Sequence, residues 1–144
     1  MNCDYIKFLE HTADAYIEVC GESLERAFEL AGLALFEVMT DTSKVEPRVA
    51  RVIEDKGFDL ESALYRWLED LLIEYGRSNL VFSQIRVEHV TREGDEYAFK
   101  ALCLGDYFDP EKHEARTEVK AVTYSLMEIS QSDGKWMFRF VLDI

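Results

Sequence analysis

Residues Ser23-Leu24-Glu25-Arg26-Ala27-Phe28-Glu29-Leu30-Ala31-Gly32-Leu33-Ala34-Leu35-Phe36-Glu37-Val38 decide the fold class. Leu24, Ala27, Phe28, Ala31, Leu35 and Val38 recur at the three-and-four spacing that lines one face of an α-helix. Ser23 offers a hydroxyl to the unpaired N–H groups of the first turn. The third residue after it is Arg26, so the reciprocal acidic half of a capping box is missing. The helix is expected to end near Met39-Thr40-Asp41. A second stripe follows Asp59: Leu60, Leu64, Trp67, Leu68, Leu71, Leu72 and Tyr75, with Gly76 as the expected stop.

Outside these helices the pattern is that of strands. Tyr5 to Leu9, Ala15 to Cys20, Val49 to Ile53, Val81 to Val90, Tyr97 to Leu104, Val119 to Ile129 and Trp136 to Leu142 are rich in branched and aromatic residues. Glu93-Gly94-Asp95 and Asp133-Gly134 read as hairpin turns, and Asp109-Pro110 as a further turn. The order ββαβα followed by four strands predicts an α+β fold, a two-layer sandwich with two main helices packed on a largely antiparallel β-sheet. One domain over residues 1–144 is expected, with no internal repeat or linker.

Charge narrows the function. Twenty-nine acidic residues face 16 basic ones, for a net charge of -13. A protein that holds nucleic acid must bring Lys and Arg to the phosphates, so direct nucleic-acid binding is not expected. Anionic membranes would repel such a surface, and no apolar run approaches the ~20 residues needed to span a bilayer. The balance suits a basic partner protein or a cation. Cys3, Cys20 and Cys103 are odd in number and form no CxxC pair, which suggests neither a disulfide framework nor a zinc knuckle. A reducing cytoplasm is the expected compartment.

Three polar clusters exceed what a core needs: Glu10-His11-Thr12-Ala13-Asp14, Asp109-Pro110-Glu111-Lys112-His113, and Leu142-Asp143-Ile144. On the last strand Trp136, Phe138, Phe140 and Leu142 share one face and leave Asp143 on the other. Its carboxylate lies beside the terminal one, and two such charges repel unless a cation or basic group compensates. Asp14 and Asp143 could supply the oxygen ligands that Ca²⁺ or Mg²⁺ prefers. Each residue also has a simpler reading: His11 as a hydrogen-bonded loop histidine, Asp14 and Asp41 as turn formers, Lys112 and His113 as solvated side chains, Asp143 as part of a frayed, solvated tail. The chain has no P-loop, GxGxxG, GxSxG or HExxH motif, and nothing in its residues argues for an enzyme.

Taken together, several stretches resemble the archease family. They are Glu10 to Asp14, Ala34 to Asp41, Asp59-Leu60-Glu61-Ser62 leading into Trp67-Leu68, Phe108 to His113, Thr117 to Tyr124, and Leu142-Asp143-Ile144. The resemblance implies a small cytoplasmic accessory protein of tRNA splicing that activates a GTP-dependent RNA ligase. It would promote ligase guanylylation and multiple turnover without joining RNA itself. An alternative partner within the same resemblance is a tRNA methyltransferase, served as a chaperone. A divalent metal, Ca²⁺ first and Mg²⁺ or Mn²⁺ next, would fall on Asp14, Asp143 and an oxygen of Ile144. His11, Asp41 and Lys120 are candidates for partner activation, Lys120 because it interrupts an apolar strand. Ser125 stands where the family often carries His.

Overall fold

The computed structural model describes residues 2–10 and 14–144. In chain order it contains β1 (Tyr5–Leu9), β2 (Ala15–Gly21), α1 (Leu24–Met39), β3 (Val49–Gly57), α2 (Leu60–Ser78), β4 (Leu80–Glu93), β5 (Glu96–Tyr107), β6 (Ala121–Val122), β7 (Glu128–Ser132) and β8 (Lys135–Asp143). A 3₁₀ turn at Thr42–Lys44 follows α1. The α+β class is as expected, but the strands form two antiparallel sheets. One runs β1-β2-β8-β6, with β7 also paired to β8, and the other runs β3-β5-β4.

The two helices tie the sheets together. α1 lies against β2 and β8 of the first sheet and β4 of the second, while α2 lies against β3 and β5 and reaches β6 and β7. α1 also completes the backbone of β4. Glu29 Oε2 accepts from Val87 N–H at 2.9 Å and Glu25 Oε2 from Val90 N–H at 3.3 Å, beside a bulge between Val87 and His89. A bulge leaves a ladder donor without its strand partner, and the helix carboxylates supply the acceptor.

Phe28, Trp67, Phe99 and Phe138 meet at the centre, all essentially inaccessible to solvent. Phe28 packs edge-on to Phe138 at 5.6 Å between centroids, and Trp67 edge-on to Phe99 at 5.7 Å. Each aromatic comes from a different element, so this cluster joins both helices to both sheets. The buried Trp67 indole N–H donates to the Phe28 carbonyl at 2.9 Å. Without that partner the N–H would be desolvated and unpaired.

Both helices begin in the same way. Gly21-Glu22-Ser23-Leu24-Glu25-Arg26-Ala27 and Gly57-Phe58-Asp59-Leu60-Glu61-Ser62-Ala63 share the pattern Gly-x-cap-Leu-Glu-x-Ala. A Cβ on Gly21 would stand 2.4 Å from Ala27 N, and one on Gly57 2.4 Å from Ala63 N, so each strand ends in glycine to admit the helix backbone. Ser23 accepts from Arg26 N–H, and Asp59 forms a full capping box with Ser62.

Other expectations are corrected. α2 does not stop at Gly76: it runs to Ser78 and is closed by Asn79 in the left-handed region, φ 64°. The expected strand from Val119 to Ile129 is two short strands. Between them Ser125 N–H turns onto Thr123 Oγ1 at 3.0 Å, and Leu126 takes a positive φ of 57°. His113, expected in solvent, is buried, and its Nδ1 accepts from Asp109 N–H at 3.0 Å. Cys3 and Cys20 form a disulfide. The β1–β2 register sets Tyr5 opposite Cys20 and so carries the residues just before Tyr5 over the end of β2, a proximity that cysteine spacing alone does not reveal.

If Trp67 ties the helices as described, truncation and a ring-preserving change will separate its two contributions. Trp67→Ala is expected to cost about 3–5 kcal/mol through the cavity it leaves. Trp67→Phe should cost less, with about 1 kcal/mol of it from the lost hydrogen bond. Urea denaturation followed by far-UV circular dichroism measures both.

Candidate functional site

The register of β2 with β8 decides where the candidate residues fall. The last pair is Ala15 opposite Leu142, and one step further along each strand stand Asp14 and Asp143. On the other side of β8, Ala121 pairs with Asp143, and Lys120 N–H donates to the Asp143 carbonyl at 2.7 Å. Asp14, Asp143 and Lys120 therefore share one end of the first sheet, with β8 in the middle. Asp143 and Lys120 are exposed, Asp14 is half-buried, and Ile144 is half-buried against the core. His11 lies outside the described residues.

Asp41 holds a different post. It caps the 3₁₀ turn after α1, accepting from Ser43 N–H at 3.0 Å and from the Ser43 hydroxyl. The Ser43 hydroxyl holds its carboxyl below the usual carboxylate range, with help from the Ser43 N–H and the nearby charges of Arg116 and Lys44. A strap links this corner to the strand end. Arg116 and Thr117 N–H groups donate to the carbonyls of Met39 and Val38, and Lys120 then reaches Asp143. The sequence reading of Asp41 as a turn residue is thus correct locally.

The strand pair bearing Asp14 and Asp143 is braced by charge. Glu18 on β2 is buried and accepts from the Tyr5 hydroxyl on β1 and from Arg139 Nε on β8 at 2.8 Å. Arg139 also meets Glu128 on β7 at 3.6 Å. The Tyr5 hydroxyl, followed by Arg139, outweighs burial and holds the Glu18 carboxyl below its ordinary range. The sequence reading did not single out Glu18. A glutamate inside an otherwise apolar strand, Ala15 to Cys20, was the available signal.

Asp14 and Asp143 offer oxygen donors at the strand end, the chemistry a hard cation accepts. Two carboxylates with main-chain oxygens beside them fit such an ion in kind. Among the described residues there is no group of three or more His, Cys, Asp or Glu side chains able to hold a metal. Lys120 borders a groove of about 320 Å³ that is also lined by Tyr65, Glu69 and Ile73 of α2.

A family model described as the Archease protein family (MTH1598/TM1083) matches residues 6–144. The chain belongs to the archease family. The archease of Sulfolobus acidocaldarius is 51% identical over 138 residues, 96% of this chain and 97% of that protein. The archease of Aeropyrum pernix is 43% identical over 144 residues, all of both chains. The solution structure of Methanobacterium thermoautotrophicum protein 1598 superposes with a TM-score of 0.85 at 40% identity, covering 96% of this chain and 98% of that one. A crystal structure of an archease, described as a possible chaperone, from Thermotoga maritima shares the fold at TM-score 0.57 and 24% identity, with 96% of each chain covered. Among the described residues of this archease, no helix is long and apolar enough to cross a membrane.

The Glu18 brace gives the site a pH dependence. A carboxyl held below its unfolded value adds stability above that value, about 4.3 for Glu, and loses it as pH falls through the folded one. Glu18→Gln is therefore expected to lower Tm at pH 7, with the gap to the unaltered protein closing below about pH 4. Thermal melts across pH 3–8 check this.

Proposed function

We infer that this archease is a cytoplasmic accessory protein that activates a GTP-dependent tRNA-splicing RNA ligase, promoting guanylylation and multiple turnover while the ligase does the chemistry. The observation that carries the reading is the convergence of Asp14, Asp143 and Lys120 on one end of the β2-β8-β6 arrangement. These are two carboxylates and an amine at an accessible edge, with no nucleophile–base pair among them. Such a set can hold a cation and present charge to a partner. Family membership over residues 6–144 supports the same reading.

Asp14, Asp143 and a main-chain oxygen of Ile144 would hold a divalent metal, Ca²⁺ first. The metal would supply a fixed positive charge joining the β1–β2 connection to the last strand. The chain's own part is to keep the two carboxylates level, through the Glu18–Arg139 brace and the Lys120–Asp143 bond. Lys120 is exposed beside them and is proposed to contact the ligase or its nucleotide. His11 and Asp41 complete the proposed activating set. Asp41 would act by holding the corner from which the 116–120 strap departs.

The description of the Thermotoga maritima relative as a possible chaperone favours a second reading, a chaperone for a tRNA methyltransferase. Recovery of a methyltransferase without ligase from native extract would support it.

Ligation at limiting ligase tests the main reading. The unaltered chain is expected to convert a single turnover into many. Asp14→Ala and Lys120→Ala should each reduce multiple-turnover rate at least tenfold and leave single-turnover joining by preguanylylated ligase unchanged. Full multiple turnover with both variants would refute the site assignment.

A further inference from the structure

A second surface adjoins Lys120. Tyr65 on α2 and Tyr124, in the turn between β6 and β7, stack face to face, with centroids 4.3 Å apart and planes 6° from parallel. Phe58, between β3 and α2, is 73% exposed and borders the same open depression of about 410 Å³. Tyr124 is 52% exposed. Phe58 and Tyr124 stand exposed at this shallow pocket, while Tyr65 also packs against the core from below.

The charge around the rings is negative. Lys56 and Arg66 line the depression, but each has a carboxylate of its own: Lys56 Nζ lies 3.3 Å from Glu96, and Arg66 Nε 3.3 Å from Asp55. Glu69 also lines the depression and accepts a hydrogen bond from the Tyr65 hydroxyl. Burial and then the Glu69 charge raise the Tyr65 hydroxyl above its ordinary pKa. Burial, Tyr65, Asp59 and Glu69 do the same for Tyr124. Tyr65 and Glu69 also line the groove of Lys120, so the depression continues into the strand-end site.

We propose that the Phe58–Tyr65–Tyr124 shelf is the docking surface for the partner enzyme, taking an arginine or lysine side chain of that partner against its rings and Glu69. Aromatic faces attract a guanidinium or ammonium group, and the Glu69 carboxylate beside them adds a Coulomb attraction. The chain's net charge of -13 selects a basic partner segment over an acidic one. The same charge disfavours stacking of nucleic-acid bases on these rings. Nor does it favour a second copy of the chain, whose matching charge would repel. The proposal rests on the ligase reading above, since it names where the ligase sits.

Titration calorimetry with the purified partner ligase and the full chain tests it. Phe58→Ser and Tyr124→Ala should each weaken binding at least tenfold with circular dichroism unchanged, and Tyr124→Phe should stay within twofold. Phe58→Lys should weaken binding further than Phe58→Ser, because it sets like charge against the incoming cation. Ligase affinity unchanged in Phe58→Ser and Tyr124→Ala overturns the docking surface and leaves the ligase reading standing. Absence of binding by the unaltered chain overturns both. Equal or tighter binding by Phe58→Lys overturns the cationic occupant. Light scattering that shows a dimer broken by Tyr124→Ala, or single-stranded RNA bound by the chain alone and lost in Tyr124→Ala, assigns the shelf elsewhere and also overturns the proposal.

Discussion

The hydrogen bond from the Trp67 indole to the Phe28 carbonyl is the contact on which the remaining architecture turns. It fixes the rotation of α2 against α1, and so which face each helix offers to its sheet. Gly32 permits the approach, since a Cβ there would meet Trp67 and Leu71 at 2.9 Å. With the helices locked, Phe28 reaches Phe138 on β8 and Trp67 reaches Phe99 on β5. A five-stranded and a three-stranded sheet thereby share one core, and neither could bury its apolar face alone.

The candidate site follows from that packing. β8 is central in its sheet because its face, Phe138, Phe140 and Leu142, is drawn under α1. A central strand has a neighbour on each side, and here the neighbours bring Asp14 from one direction and Lys120 from the other. The carboxylates need only sit one residue past the paired core. The contact of the buried Glu18 with the half-exposed Arg139 then resists slippage of β2 on β8, which would separate Asp14 from Asp143.

Much of this was legible in the residues. Ser23 and Asp59 announced the helix starts, and the stripes from Leu24 and Leu60 gave the buried faces. Asp133-Gly134 gave the last hairpin, with both residues at positive φ. The misses have common causes. Cys3–Cys20 depends on a contact between segments apart in sequence, His113 on the local turn in which it accepts from Asp109 N–H, and the split of Val119 to Ile129 on turn chemistry at Thr123. The pairing of Asp14 with Asp143 could be suspected from the resemblance, but only the strand register brings them level. The Phe58, Tyr65 and Tyr124 shelf escaped because Tyr65 falls off the helical stripe and Tyr124 sat in what read as a strand.

The Cys3–Cys20 bond spans 17 positions and encloses the first hairpin, the connection bearing Asp14 included. That segment is a covalent ring as well as a pair of hydrogen-bonded strands. A peptide bond cut anywhere between the two cysteines opens the ring without releasing a piece: the N-terminal fragment stays tethered through sulfur to β2, and β2 stays seated on β8. Oxidised, the hairpin can be nicked and still hold its partners in place; reduced, the same nick leaves β1 attached only by its ladder and packing.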